Sequence, residues 1–243
     1  MQDIKAILFD FGGTLDNDGA DWFTRLYRAI TQRSGPLERE EFDRVAMTAA
    51  NAIGAFDDTP NLSMADTAQR LCRILHSLME RDLDGPPGWE PDEVVEEFIT
   101  QAHNFLRRNR NVLEQLKPHY RLGVISNNWG NTAGWCSHFQ IDHLLDTIID
   151  STVIGAVKPE RKIFHAALEQ LGLPGHQCAY VGDRYDCDMI GAHDAGLFSI
   201  WITPPATEPG PHQAIPTRRI QKLTELLEGT LPRLKTNLSI HDS

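Results

Sequence analysis

The chain reads as an α/β protein: a Rossmann-like, doubly wound parallel sheet carrying an inserted helical module. Two observations predict this. From Tyr120 onward, short apolar runs alternate with segments of helical spacing, the rhythm of strand-helix-strand units in a parallel sheet. A lone apolar run near the amino terminus, Ile7-Leu8-Phe9, is cut off from those later strands by about 95 residues of helical pattern.

The first strand ends in Asp10 and runs into Phe11-Gly12-Gly13-Thr14-Leu15. A buried apolar run of this length suits a central strand, and the residue at its carboxyl end faces the ligand crevice of such a fold. The helical block begins near Trp22, with helices expected over 22–33 and 38–53. Ser63 with Asp66 marks a third helix start and Pro91 a fourth. Leu71, Ile74, Leu75 and Leu78 share one helical face, as do Val94, Val95, Phe98, Ala102, Phe105 and Leu106. Gly85-Pro86-Pro87-Gly88 breaks the block between two helices. Strands follow at 121–126, 147–154, 178–181 and 198–202, with helices at 161–171 and around 192–195. A final helix is expected near 220–227. The loop before it holds five of the chain's prolines within 204–216 and reads as a connector, with a lid as the alternative; the polar tail from Lys235 reads as frayed. Residues 1–15 and 112–243 are thus assigned to the α/β core and 16–111 to the helical insertion.

Composition narrows the function classes. Lysine and arginine number 23 against 34 acidic residues, a formal net charge of −11, which argues against a nucleic-acid partner. The same charge repels an anionic substrate at long range, so a phosphate site must carry its own local cation. The four cysteines are widely spaced without a Cys-x-x-Cys pair, which suits reduced, buried thiols. The opening residues show no signal-peptide pattern, and no apolar run approaches the roughly 20 residues of a membrane span. A cytoplasmic protein with no membrane partner is the expectation.

Three further segments end strands as Asp10 does. Ser126-Asn127 sets a hydroxyl and an amide at a strand end, where both can donate to an oxyanion. Lys158 precedes Pro159 and a new helix, and can neutralise a phosphate and hold down a carboxylate. In Val181-Gly182-Asp183-Arg184-Tyr185-Asp186-Cys187-Asp188, three carboxylates fall within six positions after an apolar strand. They would repel one another unless a cation sat among them, and Mg²⁺ suits a few carboxylates, a carbonyl and phosphate oxygens. Asp10 itself can be a nucleophile or a metal ligand.

In this order, Asp10, Ser126, Lys158 and Asp183/Asp188 resemble the four motifs of the haloacid dehalogenase superfamily of hydrolases. The helical insertion directly after the first motif is similar to that family's C1-type cap. The resemblance covers nearly the whole chain. It implies a small phosphorylated substrate, an aspartyl-phosphate formed on Asp10, and Mg²⁺ held by Asp10, the Gly12 carbonyl and Asp183. Asp188 would assist through a metal-bound water or by positioning Lys158. Ser126 and Asn127 would hold the transferring oxygens, Lys158 would offset charge, and Thr14 would steady the loop or the phosphoryl group.

One departure stands out. Phosphatases of the family usually carry a second aspartate two residues after the nucleophile, as general acid and base; here that residue is Gly12. A proton donor is typically worth about 10² to 10⁴ in rate. Asp16 and Asp18 are nearby replacements in sequence. A 2-haloacid dehalogenase also lacks that aspartate because halide leaves without a proton, but it needs no Mg²⁺ and typically lacks the Gly182-Asp183 motif. A non-catalytic binding module is the remaining alternative. Arg25, Arg28 and Arg33 on the first helix, and Trp129 after Ser126-Asn127, are further candidates for substrate contact.

Overall fold

A computed structural model of the chain describes residues 3–83, 88–205, 207 and 218–228. Most of the 85–88 break, nearly all of the proline-rich loop after Pro205 and the tail from Lys235 lie outside them. Six strands form one parallel sheet: β1 (Ala6–Phe9), β2 (Arg121–Ser126), β3 (Thr147–Asp150), β4 (Cys178–Gly182), β5 (Phe198–Ile202) and β6 (Arg218–Ile220), in the order β3-β2-β1-β4-β5-β6. β1 is central. Its register sets Phe9 beside Val124 of β2 and Val181 of β4, so the carboxyl ends of all three strands open at one level.

Both faces of β1 are dry, which explains why its residues are apolar without alternation. Ile7 and Phe9 face one core cluster, together with Leu122 and Val124 of β2 and the helical block. Ala6 and Leu8 face the other, against Ile125, Tyr180 and the helices that follow β3 and β4. Fully burying a side chain such as Phe9 or Leu8 is worth about 1.5 to 3 kcal/mol, so this strand is firmly placed beneath the site it leads to.

Between β1 and β2 the chain forms α1 (Trp22–Ser34), α2 (Arg39–Ile53), α3 (Met64–Asp82) and α4 (Pro91–Leu116). The expected starts of α1, α3 and α4 hold to within a residue. Asp21 caps α1 by accepting from Thr24 N, Ser63 caps α3 by accepting from Asp66 N, and Pro91 opens α4. α4 runs without a break to Leu116. After β2 come α5 (Thr132–His138), α6 (Ser151–Ile154), α7 (Arg161–Leu171) and α8 (Ile190–Asp194), the last preceded by a π-helical turn over Tyr185–Met189.

Two elements differ from the sequence expectation. The β-branched run 147–154 is not one strand: Asp150 ends β3 by accepting from Thr152 N, and the chain turns into the short α6, which stops at the left-handed Gly155. The segment near 220–227 is not an α-helix. Its start pairs with β5 as β6, and Leu223–Glu228 forms a 3₁₀ turn in which Glu225 accepts from Gln221 N and Lys222 N. An apolar edge position at Ile220 outweighs the helical spacing that follows it.

Candidate active site

The carboxyl ends of β1, β2 and β4 carry the expected residues into one place. Asp10 follows β1 and its N–H donates to Val181 O at 2.8 Å, tying the turn to β4. Lys158 Nζ lies 2.8 Å from Asp10 Oδ1 and 2.7 Å from Asp188 Oδ1. All three side chains are buried. Asp10 Oδ1 also accepts from Phe11 N–H at 2.7 Å, and among the described residues no donor reaches Oδ2.

Asp10, Asp183 and Asp188 each offer a carboxylate oxygen, and these lie within 4.8 Å of one another. Asp183 differs from the other two in that, among the described residues, no cation is paired with it: Thr14 Oγ1 donates to its Oδ1 at 3.5 Å, and its backbone carbonyl accepts from Trp201 Nε1 at 2.7 Å. Gly13 is what lets Asp183 come so close. It sits at φ +82°, and a side chain there would overlap the Asp183 carboxylate.

Two of the three buried carboxylates, Asp10 and Asp188, therefore share one ammonium, and Asp183 lies beside them outside that pairing. Burial pushes Asp10 up to about 7, with Lys158 pulling down and Asp188 pushing up. Asp183 is raised well above the usual carboxylate range, by burial first and then by Asp10 and Asp188. Burial works against the charge of Lys158, but its two carboxylate partners outweigh that and hold the ammonium above its ordinary value. The donor set is all oxygen, buried and, with every group ionised, two negative charges in excess, which fits a hard divalent ion such as Mg²⁺.

Asp188 is organised mainly around Lys158. Its Oδ1 also accepts from the Tyr180 hydroxyl at 3.0 Å, and its Oδ2 from Arg184 N at 3.0 Å. Tyr180, fully buried on β4, completes a triangle by accepting from Lys158 Nζ at 3.0 Å. The sequence held a signal for Tyr180 that went unread: a phenol inside a strand dry on both faces must find a partner for its hydroxyl. Asp186, by contrast, does not join the crevice. It turns outward in an exposed pair with Arg184, so only two of the three clustered carboxylates face the site.

A cavity of about 510 Å³ opens over Asp10, with Gly12, Ser126, Asn127 and Lys158 in its lining. The Asn127 side chain is spent on structure: it exchanges hydrogen bonds with the Lys158 backbone, accepting at 2.8 Å and donating at 3.1 Å, and so ties the lysine to the end of β2. Thr14 is fully buried against Asp183 and is not part of that lining. Cys187 does line the cavity, but burial and then Asp188 push its thiol well above the ordinary value, so it stays protonated and inert.

Position 12 is filled from elsewhere. A Cβ on Gly12 would lie 3.3 Å from Cδ1 and 3.4 Å from Nε1 of Trp22, so the indole packs tightly against the side of Gly12 from which the family's second aspartate would start. Neither nearby replacement acid is available. Asp16 is fully buried and accepts from Gly13 N–H at 2.6 Å, Trp22 Nε1 at 2.9 Å and Arg25 Nη1 at 2.9 Å. Asp18 takes a two-pronged bond from Arg108 at 2.7 and 2.6 Å. Of the three α1 arginines, Arg25 serves Asp16, Arg33 pairs with Glu97 at 3.0 Å, and none lines the cavity. Trp129 does line it.

Residues 4–196 match the haloacid dehalogenase-like hydrolases. The chain belongs to that family. Among curated relatives, a glyceraldehyde 3-phosphate phosphatase of Methanothermobacter thermautotrophicus is 33% identical over 94 residues, 37% of this chain and 40% of the relative. The chain spans between 39% and 63% of the length of the first curated relatives it matches. Two solved family structures share the fold. One is the magnesium-bound hydrolase YfnB of Bacillus subtilis (TM-score 0.55, 17% identity, covering 93% of this chain and 97% of that one). The other is a 2-haloacid dehalogenase of Pseudomonas syringae (TM-score 0.51, 20% identity, covering 93% and 97%). No described helix is long and apolar enough to cross a membrane.

Proposed function

We propose that the protein is a Mg²⁺-dependent phosphohydrolase that removes phosphate from a small phosphorylated metabolite through an aspartyl-phosphate at Asp10, with α1–α4 as its cap. The observation that carries this reading is the charge imbalance of the site: Asp10, Asp183 and Asp188 are buried together, and among the described residues Lys158 is the cation in ion-pair contact, with two of the three. The phosphatase names among its relatives point the same way.

Asp10 Oδ2 attacks phosphorus, the bond to the leaving oxygen breaks, and that oxygen departs with the electron pair. Lys158 holds Oδ1 so that Oδ2 is aimed, and its charge offsets that of the transferring group. Ser126 and the Asn127 backbone N–H close over the phosphoryl oxygens. Water then attacks phosphorus and frees Asp10. Asp10, Asp183 and the Gly12 carbonyl are the groups that would hold a divalent ion, which would supply charge neutralisation and favour the ionised, nucleophilic form of Asp10.

Gly12 favours a second reading, a 2-haloacid dehalogenase, and the fold is shared by one. Such a reaction leaves the unmatched Asp183 without a task. The test is release of inorganic phosphate from a panel of phosphate esters with and without Mg²⁺. We expect Mg²⁺-dependent release that Asp10→Asn abolishes. Chloride release from a 2-chloro acid in chelator, with no phosphate release, would establish the dehalogenase instead.

A further inference from the structure

We propose, resting on the phosphohydrolase reading, that Trp22 and Trp129 form the leaving-group wall of the site and that its substrate is an aryl phosphate. Two independent features converge on this class.

The first is the missing proton. Trp22 occupies the space beside Gly12, and Asp16 and Asp18 are held by Arg25 and Arg108. Asp21 also lines the cavity, but its two oxygens accept from Thr24 N at 3.0 Å and Thr24 Oγ1 at 2.7 Å as the cap of α1. Among the described residues that line the cavity, the carboxyls are Asp10, the nucleophile, and this capped Asp21, so none stands ready to protonate a departing alkoxide. An aryl oxide needs none: when Asp10 Oδ2 bonds to phosphorus and the phosphorus–oxygen bond breaks, the electron pair spreads into the ring, and a phenol ionises near pH 10.

The second is the wall itself. Trp22 stacks on Trp135 with centroids 5.3 Å apart and planes 3° from parallel, and lies 6.4 Å from Trp129. All three indoles line the cavity, Trp22 and Trp129 half-buried and presenting the more open surface, Trp135 buried behind Trp22. All three indoles are pinned through Nε1, to Asp16, to Ala50 O and to Leu62 O. A fixed aromatic surface next to the reacting carboxylate selects a flat ring at little entropic cost.

The direct test compares phenylphosphonate with methylphosphonate on the wild-type protein with Mg²⁺, read by tryptophan fluorescence. We expect the phenyl compound to bind about fivefold tighter or better and to quench the emission. Equal affinity would overturn the wall. On substrates, Trp129→Leu should lower the ratio of kcat/KM for phenyl phosphate over acetyl phosphate by about fivefold, since acetyl phosphate has a good leaving group but no ring. An unchanged ratio would overturn it as well. A nucleoside 5′-phosphate, which has a ring but an alkyl leaving oxygen, should turn over more slowly than phenyl phosphate, and the reverse order would refute the leaving-group assignment. If Mg²⁺ supports phosphate release from none of these, the phosphohydrolase reading fails, and the phosphonate comparison still decides the wall.

Discussion

Asp16 and Asp183 lie on either side of the same glycine turn, and both carboxylates are buried, yet they are built in opposite ways. Asp16 has its own guanidinium in Arg25 and two further donors; every donor aims at the anion. Asp183 has a single long side-chain bond from Thr14 and three like charges acting on it, Asp10, Asp188 and Asp21, with Lys158 only partly opposing them. A buried charge is tolerated when it is matched and costly when it is not. The matched one is structural, holding α1 and the turn together. The unmatched one is where the proposed divalent ion would bind.

Substitutions at the two positions should therefore separate cleanly. Asp183→Asn should lower Mg²⁺-dependent phosphate release by on the order of 10³-fold while leaving the metal-free protein at least as stable as wild type, because an unpaired charge is removed. A loss of metal-free stability measured by denaturant titration would contradict the contrast. Asp16→Asn should do the reverse to stability. It strands Arg25 in the interior and should cost about 3 to 5 kcal/mol in the same titration; a cost below about 1 kcal/mol would show the pair to be dispensable.

The contrast also predicts a pH dependence. Asp10 in the folded, metal-free protein is held up to about 7, above its ordinary 3.8. Between those values the folded state binds more protons than the unfolded state, so this group makes stability fall as pH rises. Asp183 acts in the same direction. Bound Mg²⁺ keeps both ionised and removes the penalty, so the rise in Tm caused by Mg²⁺ should grow from pH 4 to pH 7. The same rise at both ends would contradict the site. The smallest effect is expected at position 12. Gly12→Asp meets the Trp22 ring rather than open space and should destabilise by about 1 to 2 kcal/mol without gaining activity on alkyl phosphates. A gain with Trp22 intact would show that the indole is not the obstacle.

The sheet and the charged residues were legible because strand ends are marked locally: an apolar run followed by Asp10, Ser126 or Asp183 states its own position. Lys158 was legible from its place in the order of motifs. What escaped depends on chain segments far apart in sequence meeting in space. Nothing near Gly12 announces that the first residue of α1 will pack against its side, and Asp16, in the turn before that helix, looks like a spare acid until Arg25 arrives from the first turn of α1. Asp150 shows the same limit. Its carboxylate gathers Gly130 N, Thr132 N, Thr132 Oγ1 and Thr152 N, shaping the loop after β2, whereas the sequence around it reads as continuous strand.

Calorimetric titration of the metal-free protein with Mg²⁺ at pH 7, beside Asp183→Asn and Asp16→Asn, tests the charge imbalance most directly. One ion should bind per chain to the wild type and to a folded Asp16→Asn, with binding lost in Asp183→Asn. Equal Mg²⁺ affinity in wild type and Asp183→Asn, or no binding to wild type at all, would contradict it.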